Sequence, residues 1–135
     1  MPKGGKRPGA GRPRNPENIG LDFGMWKRAL EVVPVDGFDE LILANSSVFG
    51  PFGSLSPIVD RMGAIPCDFW GINDNIELGW HIQSYFLVFR QNALRSRAFS
   101  DFWKHMLLMR TKEQVIRSYE VGLSTYLTES GLRAA

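Results

Sequence analysis

The sequence of 135 residues contains one cysteine, Cys67, so it cannot form an intramolecular disulfide bond. It also lacks an apolar run that approaches the ~20 residues needed to span a bilayer. No apolar segment follows the basic amino terminus, as a secretory signal would require. These absences predict a protein of the reducing cytoplasm without a transmembrane segment. The length allows one domain built around one core.

Several catalytic signatures are missing as well. The sequence contains no GxxxxGK, HExxH, CxxC or GxSxG motif. ATP hydrolysis by a P-loop, zinc proteolysis, thiol redox chemistry and α/β-hydrolase chemistry therefore have no support from the sequence.

Basic residues are concentrated at the amino terminus. Residues 1–16 carry a formal charge of +5 and the whole chain carries +2, so residues 17–135 carry −3. The stretch is mostly Gly, Pro, Lys and Arg, which cannot bury enough apolar surface to offset the entropy of ordering, and we expect a disordered tail. It can serve as a solvated solubilising tail. The alternative is a small nucleic-acid-associated protein, in which the tail binds nucleic acid weakly through phosphate contacts.

From residue 17 onward the pattern is typical of a folded domain. Apolar residues at helical spacing predict helices over 22–33, 97–109 and 112–130, the first stopped by Pro34. Ser56-Pro57 as a start signal and Gly63 as a stop predict a helix over 57–63. Asp22 and Ser56 are the expected N-caps of the first two helices.

Short apolar runs predict strands over 39–45, 68–72 and 84–90. The last run is continuous enough to be buried on both faces, so we expect it at the centre of the sheet. Strands that alternate with helices indicate an α/β fold, in which ligands collect at the carboxyl ends of the strands.

Six stretches carry a family resemblance: ENIGLDFGMWKRAL, FDELILANSSVFGP, CDFWGINDN, HIQSYFLVFR, AFSDFW and YEVGLSTYL, in this order. Together they cover about residues 17–132, and they resemble the rhamnan synthesis protein F family of bacterial polysaccharide glycosyltransferases. The resemblance implies an α/β fold over residues 17–135: a partial GT-A-like three-layer domain with a short mixed sheet and flanking helices. It also implies transfer of rhamnosyl from dTDP-rhamnose to a glycan acceptor in lipopolysaccharide or cell-wall synthesis. This transfer would take place in the cytoplasm or at the inner face of the membrane.

The strand end at Asn45-Ser46-Ser47 departs from what the resemblance implies. GT-A enzymes place an acidic residue there, which holds Mg²⁺ or Mn²⁺ against the donor diphosphate because these cations favour carboxylate oxygens. Ser46 stands where the family pattern has aspartate, so the sequence assigns no metal ligand. The βαβ half that would hold the nucleotide is missing too. We therefore expect a truncated transferase domain that is inactive alone, that pairs with a chain supplying the missing half, or that serves as a non-catalytic interaction domain.

Glu120 is the catalytic candidate. The resemblance assigns it the role of the carboxylate that deprotonates the acceptor hydroxyl, and its alternative role is an acid on a helix surface. Asn18 and Asp22 match an Asn-x-Gly-x-Asp element that would touch the donor nucleotide; as plain chemistry they are a loop residue and a helix cap.

The polar loop between the later strands supplies the remaining contacts to donor or acceptor. Asp74, His81 and Gln83 are the candidates there, with Ser84 beside them. An aspartate in a loop is more often a turn former, and a histidine beside an aromatic run is more often satisfied structurally.

Three tryptophans suit the apolar face of a sugar ring. Trp103 is expected in the core because of its helical position, and Trp70 belongs to a predicted strand. Trp80 lies in the polar loop and is the preferred candidate for stacking on a sugar.

Overall fold

The computed structural model describes residues 21–107 and 111–135. The elements of these two ranges follow in the order α1 (Leu21–Val32), β1 (Glu40–Ala44), α2 (Ser56–Gly63), β2 (Phe69–Gly71), β3 (Asp74–Asn75), β4 (His81–Ile82), β5 (Phe86–Arg90), α3 (Gln91–Leu94), α4 (Arg97–His105), α5 (Lys112–Val115), a π-helical segment (Ile116–Val121) and α6 (Gly122–Glu129). The α/β fold class predicted from the sequence is confirmed.

β5 is the central strand of a three-stranded sheet with the order β1-β5-β2, which confirms its predicted place. Both ladders are antiparallel, and Val88 faces Ile42 on one side and Trp70 on the other. Within the described residues, the parallel part of the expected mixed sheet is one bridge between Phe69 and Ala134. Three consecutive residues of β5 are buried, as a strand covered on both faces requires.

The main core lies between one face of this sheet and the helices α1, α4 and α6. Phe23 of α1 stacks on Trp103 of α4 and on Tyr119 of the π-helical segment, with ring centroids 5.8 Å apart in both pairs. Phe89 of β5 is fully buried and contacts Phe99 of α4 edge to face at 5.1 Å. These aromatic pairs join α1, at the start of the described chain, to helices about eighty residues later.

The other face of the sheet carries a smaller cluster. Cys67, Trp70 and Val88 are buried there, and Met62 of α2 and Phe86 pack against them. α2 itself has no buried residue.

A hairpin of β3 and β4 was not predicted from the sequence. Asn75 Oδ1 accepts a hydrogen bond from Glu77 N at 2.8 Å, and the chain then turns through positive φ at Leu78 and Gly79. Its strands are two residues long, which is too short to show an alternating apolar pattern.

Two helix boundaries and two caps differ from expectation. The helix predicted over 97–109 ends at His105, because Lys27 Nζ donates to the carbonyl oxygens of Trp103 and Lys104 at 2.7 and 3.2 Å and so satisfies its last turn. Residues 108–109, the last of the predicted range, lie outside the described residues.

α1 already includes Leu21, so Asp22 lies in its first turn and is not an N-cap. A negative charge in the first turn still interacts favourably with the helix dipole. Ser56 is the first residue of α2 and not its cap; its N–H donates to Ser54 Oγ at 3.1 Å. The predicted helix 112–130 is continuous from α5 to α6 but contains the π-helical segment.

Candidate functional site

Glu120 lies in the π-helical segment, where the wider turn changes the direction of the side chains. π-Helical turns occur frequently at functional sites. The neighbouring Tyr119 points into the core, and Glu120 is half-buried with its Oε1 accepting a hydrogen bond from Ser84 N at 3.0 Å. The second carboxylate oxygen of Glu120 has no hydrogen-bond partner among the described residues, so it is available as an acceptor.

A small cavity of about 260 Å³ lies beside this carboxylate, at the end of β1. It brings together five residues that the sequence singled out: Asp22, Asn45, Ser47, Gln83 and Glu120. Ser84 also lines it, and its remaining wall is mostly apolar. A site with a few convergent polar groups on an apolar wall is the usual arrangement for a small-molecule ligand.

A larger cleft of about 660 Å³ adjoins the small cavity. Gln83, Ile116 and Glu120 line both, so Glu120 stands on their common wall. The larger cleft adds His81 and Arg117 to this wall. Arg117 is exposed and forms an ion pair with Glu113 at 3.7 Å.

The strand end after β1 is a turn stabilised by its own side chain. Asn45 N donates to Tyr85 O at 3.1 Å, and Asn45 Oδ1 accepts a hydrogen bond from Ser47 N at 3.0 Å. This Asx turn accounts for a side-chain acceptor at position 45. Ser46 is exposed and lines neither cavity.

Gln83 and Tyr85 are held by Asn73, a residue that the sequence analysis missed. Asn73 Nδ2 donates to Gln83 Oε1 at 2.6 Å, and the Tyr85 hydroxyl donates to Asn73 Oδ1. Burial raises the pKa of Tyr85, so its hydroxyl stays protonated as a donor at neutral pH. The polar run around Asn73 was visible in the sequence, but only the pairing of residues ten and twelve positions apart reveals its role.

The side chains of Asp74 and Trp80 form a hydrogen bond with each other and do not line either cavity. Trp80 Nε1 donates to Asp74 Oδ2 at 2.6 Å, and neither residue lines the two cavities described above. Trp80 is 39% exposed, so its ring remains accessible near the larger cleft. Trp70 and Trp103 are buried in the core, which excludes both from sugar stacking.

His81 is buried but lines the larger cleft. Its Nδ1 lies 2.8 Å from Gly79 O, and because a carbonyl oxygen only accepts hydrogen bonds, Nδ1 carries the proton. Nε2 of a neutral His81 is then an acceptor. Asn18, the remaining candidate, lies outside the described residues.

The side chains do not form a metal site within residues 21–107 and 111–135. No three His, Cys, Asp or Glu side chains there lie close enough together to hold a metal ion. At the strand end, Asn45 Oδ1 is already engaged by Ser47 N, and residues 45–47 include no carboxylate. These residues therefore do not fit the divalent cation that the family resemblance implies. The helices of the same two ranges include none that is long and apolar enough to cross a membrane.

Sequence comparisons identify relatives over nearly the whole chain. Virulence protein VirA of Vibrio anguillarum (strain ATCC 68554 / 775) is 30% identical over 125 residues, which is 88% of this chain and 40% of VirA. Uncharacterized protein y4gN of Sinorhizobium fredii is 26% identical over 114 residues, which is 80% of this chain and 30% of that protein. The chain thus spans less than half the length of these curated relatives.

No solved structure matches the chain significantly. The family model described as rhamnan synthesis protein F matches residues 14–134. The chain therefore belongs to the rhamnan synthesis protein F family.

Proposed function

We propose that this chain provides the acceptor-activating part of a glycosyltransferase in bacterial polysaccharide synthesis, with a rhamnosyl group moving from dTDP-rhamnose to a growing glycan. The observation that carries the proposal is the position of Glu120 on the common wall of two cavities. Membership of the rhamnan synthesis protein F family supplies the reaction class, and the likeness to a protein named for virulence fits a product at the bacterial surface.

Inverting glycosyl transfer uses a base that takes the proton of the acceptor hydroxyl while this oxygen bonds to the donor sugar carbon and the nucleoside diphosphate leaves. The donor sugar carbon and the attacking hydroxyl must meet within van der Waals distance, so the base has to stand where their two sites join. Glu120 meets this condition. The hydrogen bond from Ser84 N orients one of its carboxylate oxygens, and the other is left to take the proton from the acceptor hydroxyl.

The chemistry of the small cavity suits one sugar residue. Among the described residues that line it, none is a lysine or an arginine, whereas Asp22, Asn45 and Gln83 offer groups that hydrogen-bond neutral hydroxyls. Its apolar wall suits the C–H groups of a deoxy sugar such as rhamnose. The larger cleft, with exposed Trp80 nearby, would then receive the glycan acceptor.

These residues do not neutralise the charge of the donor diphosphate. Both cavities contain carboxylates, and the strand end does not fit a divalent cation. Neutralisation of the diphosphate therefore depends on groups beyond those described, such as a partner chain or the further polypeptide that longer relatives carry. We accordingly expect little transfer by this chain alone.

Two measurements test the proposal. In ¹H–¹⁵N NMR titrations with a rhamnose oligosaccharide and with dTDP-rhamnose, we expect amide shifts around the two cavities, with Ser84 N among the most affected. Shifts confined to other surfaces would overturn the assignment of the site.

Glu120→Gln keeps an oxygen for the Ser84 N–H, so we expect fold and ligand affinity to be unchanged. In a preparation competent for turnover, the rate should fall about 10²- to 10⁴-fold because general base catalysis is lost. Ser118→Ala, on the same segment but outside both cavities, serves as the matched control. A rate for Glu120→Gln equal to that of the control would refute the base assignment.

A further inference from the structure

One face of the sheet is left open over β1. The cluster under α2 covers β2 and β5, where Trp70 and Val88 are each 1% exposed. Ile42, which faces Val88 across the ladder on the same side of the sheet, is 50% exposed. The uncovered area thus begins at the edge strand.

The segment that connects β1 to β2 extends this apolar surface. Phe49 and Phe52 are each 95% exposed, and Val48, Ile58, Val59 and Ile65 are also exposed. With Ile42, these side chains present on the order of 700 Å² to solvent, which is close to the ~800 Å² that each partner buries in a standard protein interface. An exposed apolar area of this size is sufficient for an interaction site.

β1 also has a free hydrogen-bonding edge. Asn45 N donates to Tyr85 O, so in an antiparallel ladder the N–H groups of residues 41, 43 and 45 face β5. Those of Glu40, Ile42 and Ala44 point the other way, and no described strand pairs with them. An edge of this kind is a template for another strand.

We propose that this edge and its apolar surface join two copies of the chain. Two identical edge strands related by a two-fold axis run antiparallel, as strand pairing requires. A register centred on Ile42 sets Ile42 against Ile42 of the second copy and Glu40 against Ala44, so that no like charges face each other. The free N–H and C=O groups of these three residues then pair, and two three-stranded sheets become one of six strands.

The charge of the surface disfavours a polyanionic partner. The ionisable residues of the segment 39–65 are Asp39, Glu40, Asp60 and Arg61, a net charge of −2. Anionic lipid or nucleic acid would be repelled, because their binding depends on clustered basic residues. Val48 of this surface also lines the small cavity, but the inference does not use Glu120, which does not lie on this segment.

The test is the oligomeric state of the full chain by sedimentation equilibrium at micromolar concentrations. We expect the wild type to sediment with twice the mass of one chain. Ile42→Lys should sediment as a monomer, because it places a charge at the centre of the interface. Val32→Lys, an apolar residue 79% exposed on α1, should leave the dimer intact.

A second variant guards against misfolding of Ile42→Lys. Phe49→Ser combined with Phe52→Ser alters two side chains that contact almost nothing within the described fold. We expect it to be folded by circular dichroism and to shift the dimer to monomer. A monomeric wild type, or a dimer that survives both variants, would overturn the proposal and leave this surface to the further polypeptide of the longer relatives or to a lipid.

Discussion

Replacement of Asp68 by asparagine should destabilise the fold more than its conservative shape suggests. Asp68 is 4% exposed and stands between β2 and the carboxyl-terminal residues. Its Oδ1 accepts a hydrogen bond from Asn92 Nδ2 at 2.8 Å, and its Oδ2 accepts one from Arg133 N at 2.7 Å. In Asp68→Asn, one carboxylate oxygen becomes an amide nitrogen that faces a donor.

The magnitude follows from these bonds. A hydrogen bond to a charged group contributes about 1.5–3 kcal/mol, and a buried donor left without an acceptor costs about 1–3 kcal/mol. The Arg133 guanidinium lies 3.6 Å from Asp68 and its side chain is 65% exposed, so the ion pair adds at most ~1 kcal/mol. We expect a loss of about 2–4 kcal/mol, a large part of the 5–15 kcal/mol typical of a domain.

The effect should depend on pH. Burial alone would raise the pKa of Asp68, but the hydrogen bonds from Arg133 and Asn92 and the charge of Arg133 outweigh it and hold the pKa below its ordinary value of 3.8. A carboxyl with a lowered folded-state pKa stabilises the protein above that ordinary value and loses this contribution as the pH falls through the folded-state pKa. The difference between wild type and Asp68→Asn should therefore be constant near neutral pH and shrink below about pH 3.8.

Urea unfolding followed by tryptophan fluorescence measures the free energy of unfolding at each pH. Asp36→Asn, at an exposed position, is the matched control and should change the stability by less than ~0.5 kcal/mol. A loss for Asp68→Asn no larger than that of the control, or a difference that grows on acidification, would refute the reasoning.

Two further predictions concern the strand end and the packing of the hairpin. Calorimetric titration of wild type with dTDP and Mn²⁺ should give little heat, and Ser46→Asp should improve metal affinity because it adds a carboxylate beside Asn45; tight Mn²⁺-dependent binding by the wild type would contradict this. Gly71→Ala should lower the unfolding free energy by about 1–3 kcal/mol, because its Cβ would lie 2.1 Å from Ile82 Cγ2. Gly63→Ala, whose Cβ would meet nothing within 4 Å, is the control, and equal effects of the two substitutions would show that the close approach of β2 and β4 is not rigid.

Local patterns were sufficient for the main elements. The continuous apolar run SYFLVF predicted the buried central strand because burial on both faces removes the need for alternation. Helical spacing predicted α1, α4 and the helix from α5 to α6, because an amphipathic stripe repeats within a few turns of sequence. The start signal Ser56-Pro57 and the stop at Gly63 predicted α2. The quoted stretches also sufficed for the family, which the match over residues 14–134 confirmed.

Contacts between distant residues decided the rest. α4 ends early because Lys27, 76 residues before Trp103, takes up its last carbonyl oxygens. Trp70 was a candidate for sugar stacking, but packing on the second face of the sheet buries its side chain. Neither the end of α4 nor the burial of Trp70 can be predicted from local periodicity.

The candidate site also depends partly on local sequence and partly on contacts between distant residues. The sequence alone determined which residue types were available, including Glu120, Asn45 and Gln83, and that the strand end lacks a carboxylate. Only the tertiary structure decided that these residues share one cavity, because the π-helical turn brings Glu120 to Ser84 across 36 residues of sequence. The same holds for Asn73, whose orienting bonds exist only once the hairpin has closed and the strands have paired.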